Sequence, residues 1–230
     1  MTRVTRAVRY DARHWISRYR IYLPYARRRA VYSDAVVRPE TQVLIEGFPR
    51  SGSSFALVAT RFAQDASVNI AHHLHSAANV KEAIRLRVPT LLLVRNPADV
   101  ALSEKIRNPA ITLRQALRAY VAYYDAVMPY APKVTVADFE QVTGNFSDVI
   151  ARLNRRYGLD LKLFEHTPEN VARCFRIIES WRTPESLTPR PSPHRDALKE
   201  ALSRDLRRGE LSRILRRATD LYEAIKPLST

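Results

Sequence analysis

The chain has 230 residues, enough for one domain with at most an appendage. It is 46% hydrophobic and 27% charged, with five glycines against fourteen prolines, which excludes a flexible low-complexity chain. Lys and Arg outnumber Asp and Glu by 38 to 23, a formal charge of +15, so its field attracts anions: nucleotides, sulfated or phosphorylated substrates, nucleic acid or an anionic membrane face. No run approaches the ~20 apolar residues of a membrane span. Arg3, Arg6 and Arg9 are not followed by the apolar core of a signal peptide. Cys174 is the only cysteine. It permits no intramolecular disulfide, points to a reducing, cytoplasmic setting, and lies in a helical pattern as a small apolar residue does.

Residues 1–40 are basic and aromatic and read as a helical appendage to a domain at 41–230. Trp15, Ile16, Tyr19 and Tyr22 recur at helical spacing. Two readings stand: a helix resting on an anionic membrane, or a helix packed on the domain with a solvated Arg face.

Residues 42–47 form the first predicted strand. It leads into Pro49-Arg-Ser-Gly-Ser-Ser-Phe55 and then an apolar helical pattern over Ser53–Gln64. A helix start leaves backbone N–H groups unpaired and carries partial positive charge, so it accepts an anion. Gly52 admits close approach, Ser51, Ser53 and Ser54 bring hydroxyls, and Arg50 brings a fixed charge with a fork of donors. A ligand-free strand–turn–helix connection is the plain alternative. Gly47 and Gly52 have the spacing of the Walker A loop, but Ser53 stands where that loop needs Lys, which argues against an ordinary ATPase or GTPase.

A second strand is predicted over Ser67–Ala71, running into His72-His-Leu-His75. Ser76 then reads as the N-cap of a helix over Ala77–Leu86. Thr90–Val94 is an unbroken apolar strand, as in a parallel sheet buried on both faces. It ends at Arg95-Asn-Pro-Ala-Asp-Val-Ala-Leu-Ser103, with Pro97 suited to the first turn of a helix. Arg95 and Ser103 can converge on a second phosphate, or Arg95 can simply pair with Asp99. A helix over Thr112–Met128, a strand over Lys133–Ala137, and helices over 146–157, 168–180 and 192–225 (broken near Gly209) complete the chain. Trp181–Pro193 reads as an exposed loop. The alternation predicts an α/β, P-loop-like three-layer sandwich, with a central parallel sheet of four to five strands flanked by helices. Ligands bind beyond the carboxyl ends of such strands, so 50–54, 72–75 and 95–103 share one rim.

Together, Pro49–Phe55 and Arg95–Ser103 resemble the sulfotransferases that use 3′-phosphoadenosine 5′-phosphosulfate (PAPS), the small bacterial type in particular. In that family a strand–loop–helix of the form Pro-Lys/Arg-Ser-Gly-Thr/Ser-Thr/Ser-Trp/Phe grips the 5′-phosphosulfate, and a later Arg-Asn/Asp-Pro-x-Asp-x-x-x-Ser grips the 3′-phosphate. Val136-Ala-Asp-Phe-Glu-Gln-Val142 and Asn154-Arg-Arg-Tyr-Gly158 are similar to two further family phrases, so the likeness spans about residues 42–158. It implies donor contacts by Arg50, Ser51, Gly52, Ser53, Ser54, Phe55, Arg95 and Ser103, with Arg50 near the bond that breaks. It also implies a His or Glu as general base. A metal is the rival use of the three histidines, but no Cys or Glu completes a ligand set at useful spacing, so no metal is expected. The family's Lys-x-His phrase falls on Ala71-His72-His73, which favours His73, with His75 close behind and His72 also in place. Three departures stand out: Arg50 in place of the commoner Lys, Phe55 in place of Trp, and the lack of the Gly-rich Arg-Lys-Gly loop, for which the basic stretch 190–195 is a substitute candidate. Two other uses of the anionic preference stay open on the residues alone, an ATP-dependent phosphotransferase and a nucleic-acid binder. The acceptor, a hydroxyl or amine on a carbohydrate, a lipid-linked glycan or a small metabolite, is not legible.

Overall fold

The computed structural model describes residues 3–181 and 193–229, and the side chains of 4–181 and 197–229. Four parallel strands, β1 (Val43–Gly47), β2 (Ile70–His72), β3 (Thr90–Val94) and β4 (Thr135–Asp138), lie in the order β2-β1-β3-β4. Side chains alternate across a strand, and both faces here are apolar. Leu91 and Leu93 enter one core while Leu92 and Val94 enter the other. The first core is closed by α3 (Ser53–Ala63), α8 (Phe146–Tyr157) and α9 (Pro168–Ser180), which carries the buried Cys174. The second is closed by α4 (Ala77–Arg85), α5 (Pro97–Arg107), α6 (Leu113–Val127) and α11 (Gly209–Ile225). The result is the expected three-layer α/β architecture, with four strands among the described residues.

β1 and β3 come close where β1 ends. A Cβ on Gly47 would stand 2.6 Å from the Leu93 carbonyl oxygen, so glycine is required there. β2 begins later than its sequence suggests. Pairing opens where Gln42 N donates to Asn69 O and Asn69 N donates to the Gln42 side chain, which carries the strand through His72, opposite Ile45. β4 likewise extends to Asp138, which caps a short helix, α7 (Phe139–Gly144), in a reciprocal box with Gln141.

Helices α1 (Arg3–Ile16) and α2 (Tyr22–Arg27) pack on this body. Gln115 of α6 donates to Ala7 O and to the Asp11 carboxylate, and Ser17 O accepts from Ala78 N and the Ser76 hydroxyl. Tyr22, Leu23, Ala26 and Val36 form a small third core with Leu74 and Ala78. The remaining helix, α10 (Pro193–Leu206), lies against α5. Among the described residues no helix is long and apolar enough to cross a membrane.

Candidate active site

The loop from β1 to α3 turns on two left-handed residues, Arg50 (φ 72°) and Gly52 (φ 96°). Gly52 is the N-cap of α3 and offers no side chain to the helix start. The first amides of α3 therefore lack an intrahelical partner. Ser53, at the first helical position, is 95% buried (5% exposed), and its hydroxyl has no hydrogen-bond partner among the described residues. Ser51 behaves differently. Its hydroxyl lies 3.4 Å from that of Tyr124, whose own proton goes to Leu93 O at 2.7 Å, so Ser51 is the donor of that pair. Its amide donates to Phe48 O. The Ser51 hydroxyl thus ties the loop to α6, while its amide closes the turn within the loop. Phe55 turns its ring into the core against Phe146, Phe164 and Phe175, which leaves only its amide at the helix start.

The loop from β3 to α5 supplies side chains. Arg95 donates from Nη1 to Arg50 O at 3.0 Å, and its guanidinium carbon stands 3.6 Å over the Phe139 ring. Arg50 in turn donates from Nε to the hydroxyl of Ser103, 3.0 Å away and buried. Two arginines and a serine from neighbouring strand ends therefore meet, with Phe139 as their floor. A Cβ on Gly52 would lie 3.4 Å from the same ring. Glu104 sits buried beside this group; burial raises its carboxyl while the Arg50 charge pulls it back. The Asn96 side chain accepts from the amides of Ala98 and Asp99, and so closes the start of α5. Sequence reasoning placed 136–142 in the family pattern without giving Phe139 a role, because a lone aromatic after a strand carries no periodic signal.

The histidines leave the end of β2. His73 (φ 59°) and His75 (φ 53°) are left-handed. With Arg50 they account for three of the four such non-glycine residues described; strain of this kind concentrates at functional sites. His73 Nε2 lies 3.1 Å from the Ser54 hydroxyl, and its Nδ1 lies 2.8 Å from His72 Nδ1. Arg61 meets His72 Nε2 at 3.5 Å. A guanidinium can only donate, so His72 Nε2 is the acceptor, His72 Nδ1 carries the proton toward His73 Nδ1, and His73 presents Nε2–H to Ser54. His75 has the opposite tautomer. Its Nδ1 donates to Gly47 O at 2.7 Å, which leaves a lone pair on Nε2. Burial holds all three imidazoles below their ordinary range, His72 and His73 at about 4, so at neutral pH all are uncharged.

Glu46 lies beneath this loop, fully buried in β1. Its carboxyl accepts from the amides of Gly47 and His75 and from the Asn79 side chain. Burial outweighs the pull of those donors and leaves the carboxyl raised to about 7. Sequence reasoning passed over it; the available signal was one carboxylate inside an apolar strand. Among the described residues no group of three His, Cys, Asp or Glu is arranged to hold a metal ion. In the basic stretch 190–195, residues 190–192 lie outside the described residues, as does most of the proline-rich loop before it, and of 193–195 only the backbone, at the start of α10, is described.

No protein-family profile matches the chain, and no curated protein does. Among solved structures, the mouse sulfotransferase SULT7A1 complexed with PAP is similar over 82% of this chain and 91% of that one, at 14% identity and a TM-score of 0.42.

Proposed function

We propose that this rim is the donor site of a sulfuryl transferase that takes PAPS and delivers its sulfuryl group to a hydroxyl or amine acceptor. The observation that carries the reading is the junction of the two loops: Arg50 Nε on Ser103 Oγ, and Arg95 Nη1 on Arg50 O, each at 3.0 Å. It brings the two segments that resemble the family's 5′ and 3′ grips into one group. The residues fit a ligand with two separate anionic ends. One end meets the open start of α3 with the buried Ser53 hydroxyl; the other meets Arg95 and Ser103. A singly charged ligand would leave one of those ends unused.

When bound, the donor supplies a sulfuryl group on a phosphate leaving group. The chain contributes position and charge, the terms that dominate phosphoryl transfer and, by analogy, sulfuryl transfer. The amides of Ser53, Ser54 and Phe55, with the Ser53 hydroxyl, hold the 5′ end. Arg50 places a fixed positive charge where negative charge grows as the bond breaks. His73, presenting Nε2–H beside Ser54, donates to an oxygen of the anion. His75 takes the acceptor's proton on Nε2 and is held for it by Gly47 O and by the Glu46 carboxylate on its amide.

Calorimetry with adenosine 3′,5′-bisphosphate (PAP) and with ATP tests the site. PAP binds in preference to ATP. Arg50→Ala and Arg95→Ala each weaken PAP about 10- to 100-fold, the loss of a charge-assisted hydrogen bond. Failure of PAP to bind, or unchanged affinity in both variants, overturns the reading.

A further inference from the structure

The face of α1 turned away from the domain carries large apolar side chains where a surface helix ordinarily carries polar ones. Val4, Val8 and Trp15 fall within about 40° of one another around the helix axis, and Val8 and Trp15 are 62% and 60% exposed. The opposite side is the one that packs, with Tyr10 against His14 and His14 against Phe48. The exposed row continues past the helix through Tyr19, Ile21 (75% exposed) and Tyr25. Residues 3–30 hold nine arginines and a single acid, Asp11, and that acid is bonded to Gln115. Arg13, Arg20 and Arg27 reach back to the domain, to Leu74 O, Glu82 and Val37 O, while others lie along the aromatic row. Arg18 stands 5.9 Å over Trp15 and 5.5 Å over Tyr19, and Arg29 stands 5.8 Å over Tyr25 and donates to its hydroxyl.

We infer that this face docks on an anionic lipid bilayer. Apolar and aromatic side chains enter the headgroup boundary while the arginines meet lipid phosphates, the pattern of an interfacial helix. A second copy of the chain fits poorly, because a self-complementary contact would press two arginine-rich faces together. A nucleic acid would use the arginines and the rings but has nothing to offer exposed aliphatic chains such as Val4, Val8 and Ile21. The inference does not depend on the transferase reading.

The test is co-sedimentation of the full chain with phosphatidylcholine vesicles, with and without phosphatidylglycerol. The chain pellets with the anionic vesicles and is released as salt rises. In a Trp181→Phe background Trp15 is the only indole, and its emission shifts to the blue on binding. Trp15→Ala combined with Ile21→Ser lowers partitioning about tenfold or more. Each of Arg28→Gln and Arg29→Gln lowers it about fivefold. All four positions are exposed, so circular dichroism and melting temperature stay as in the parent. These results overturn the inference: no binding to anionic vesicles, equal binding without phosphatidylglycerol, unchanged partitioning in the Trp15/Ile21 variant, or tighter binding to a duplex oligonucleotide than to the vesicles. A stable dimer in sedimentation, lost with Trp15→Ala, does so too.

Discussion

Two helices start at the same rim, each directly after a core strand, and their starts are built in opposite ways. α5 is closed by its own sequence: Asn96 caps two amides and Pro97 removes the need for another. α3 is left open. Its N-cap is a left-handed glycine without a side chain, and the Ser53 hydroxyl at its first position is buried without a partner. An anion can therefore use the backbone of α3 but only side chains at α5, namely Arg95 and Ser103. Of two superficially similar strand–loop–helix turns, one leaves backbone donors open and the other is a closed post that carries an arginine.

The sharpest way to break this comparison lies beside the open start, in the two histidines of opposite tautomer. His75→Ala is expected to lower kcat about 100- to 10,000-fold, the range of a lost general base, with PAP affinity unchanged by calorimetry. His73→Ala is expected to weaken PAP instead, because His73 donates beside Ser54. The reverse pattern would exchange the two roles. The pH profile carries a sign. A base must be unprotonated, and burial holds His75 below the ordinary histidine range, so the acid limb of kcat falls below about 6.5 rather than at it. An acid limb above neutrality would exclude His75 as the base.

How far this arrangement could be read beforehand follows from the physics of each part. The strand and helix pattern was legible because β1 and β3 are buried on both faces and show as apolar runs, and the loops between them carry Gly and Pro at the turns. The short β2 was legible only approximately. Its start is set by the Gln42–Asn69 pairing, a contact between residues distant in sequence. The family phrases pointed to Arg50, Arg95 and Ser103, which the structure brings into contact. They could not show that Ser51 is spent on Tyr124 or that the Phe55 ring lies in the core, since neither partner is near in sequence. Glu46 and Phe139 were missed for the same reason: each acts through neighbours that only the folded sheet brings together.

A smaller effect comes from closing the open start by force. Gly52→Ala places a side chain on a residue at φ 96°, against Phe139 at 3.4 Å. It is expected to lower stability by about 1–2 kcal/mol, read by urea titration. It also weakens PAP about tenfold, because relief of the strain rotates the first amides of α3 away from the anion. Full PAP affinity in this variant would mean that the backbone of α3 takes no part in binding.

The smallest expected effect tests the post. Asn96→Ala removes the cap of α5 and is expected to cost about 1 kcal/mol, a fall of about 2–4 °C in Tm for a chain of this size. The side chain faces the amides of Ala98 and Asp99, whereas Arg95 is held independently by Phe139, by Arg50 O and through Tyr120, whose hydroxyl donates to Arg95 O at 2.8 Å. PAP affinity should therefore stay within about twofold, less than the loss of one neutral hydrogen bond. If Asn96→Ala instead weakens PAP as much as Arg50→Ala does, the start of α5 holds phosphate through its backbone after all, and the two helix starts are alike in kind.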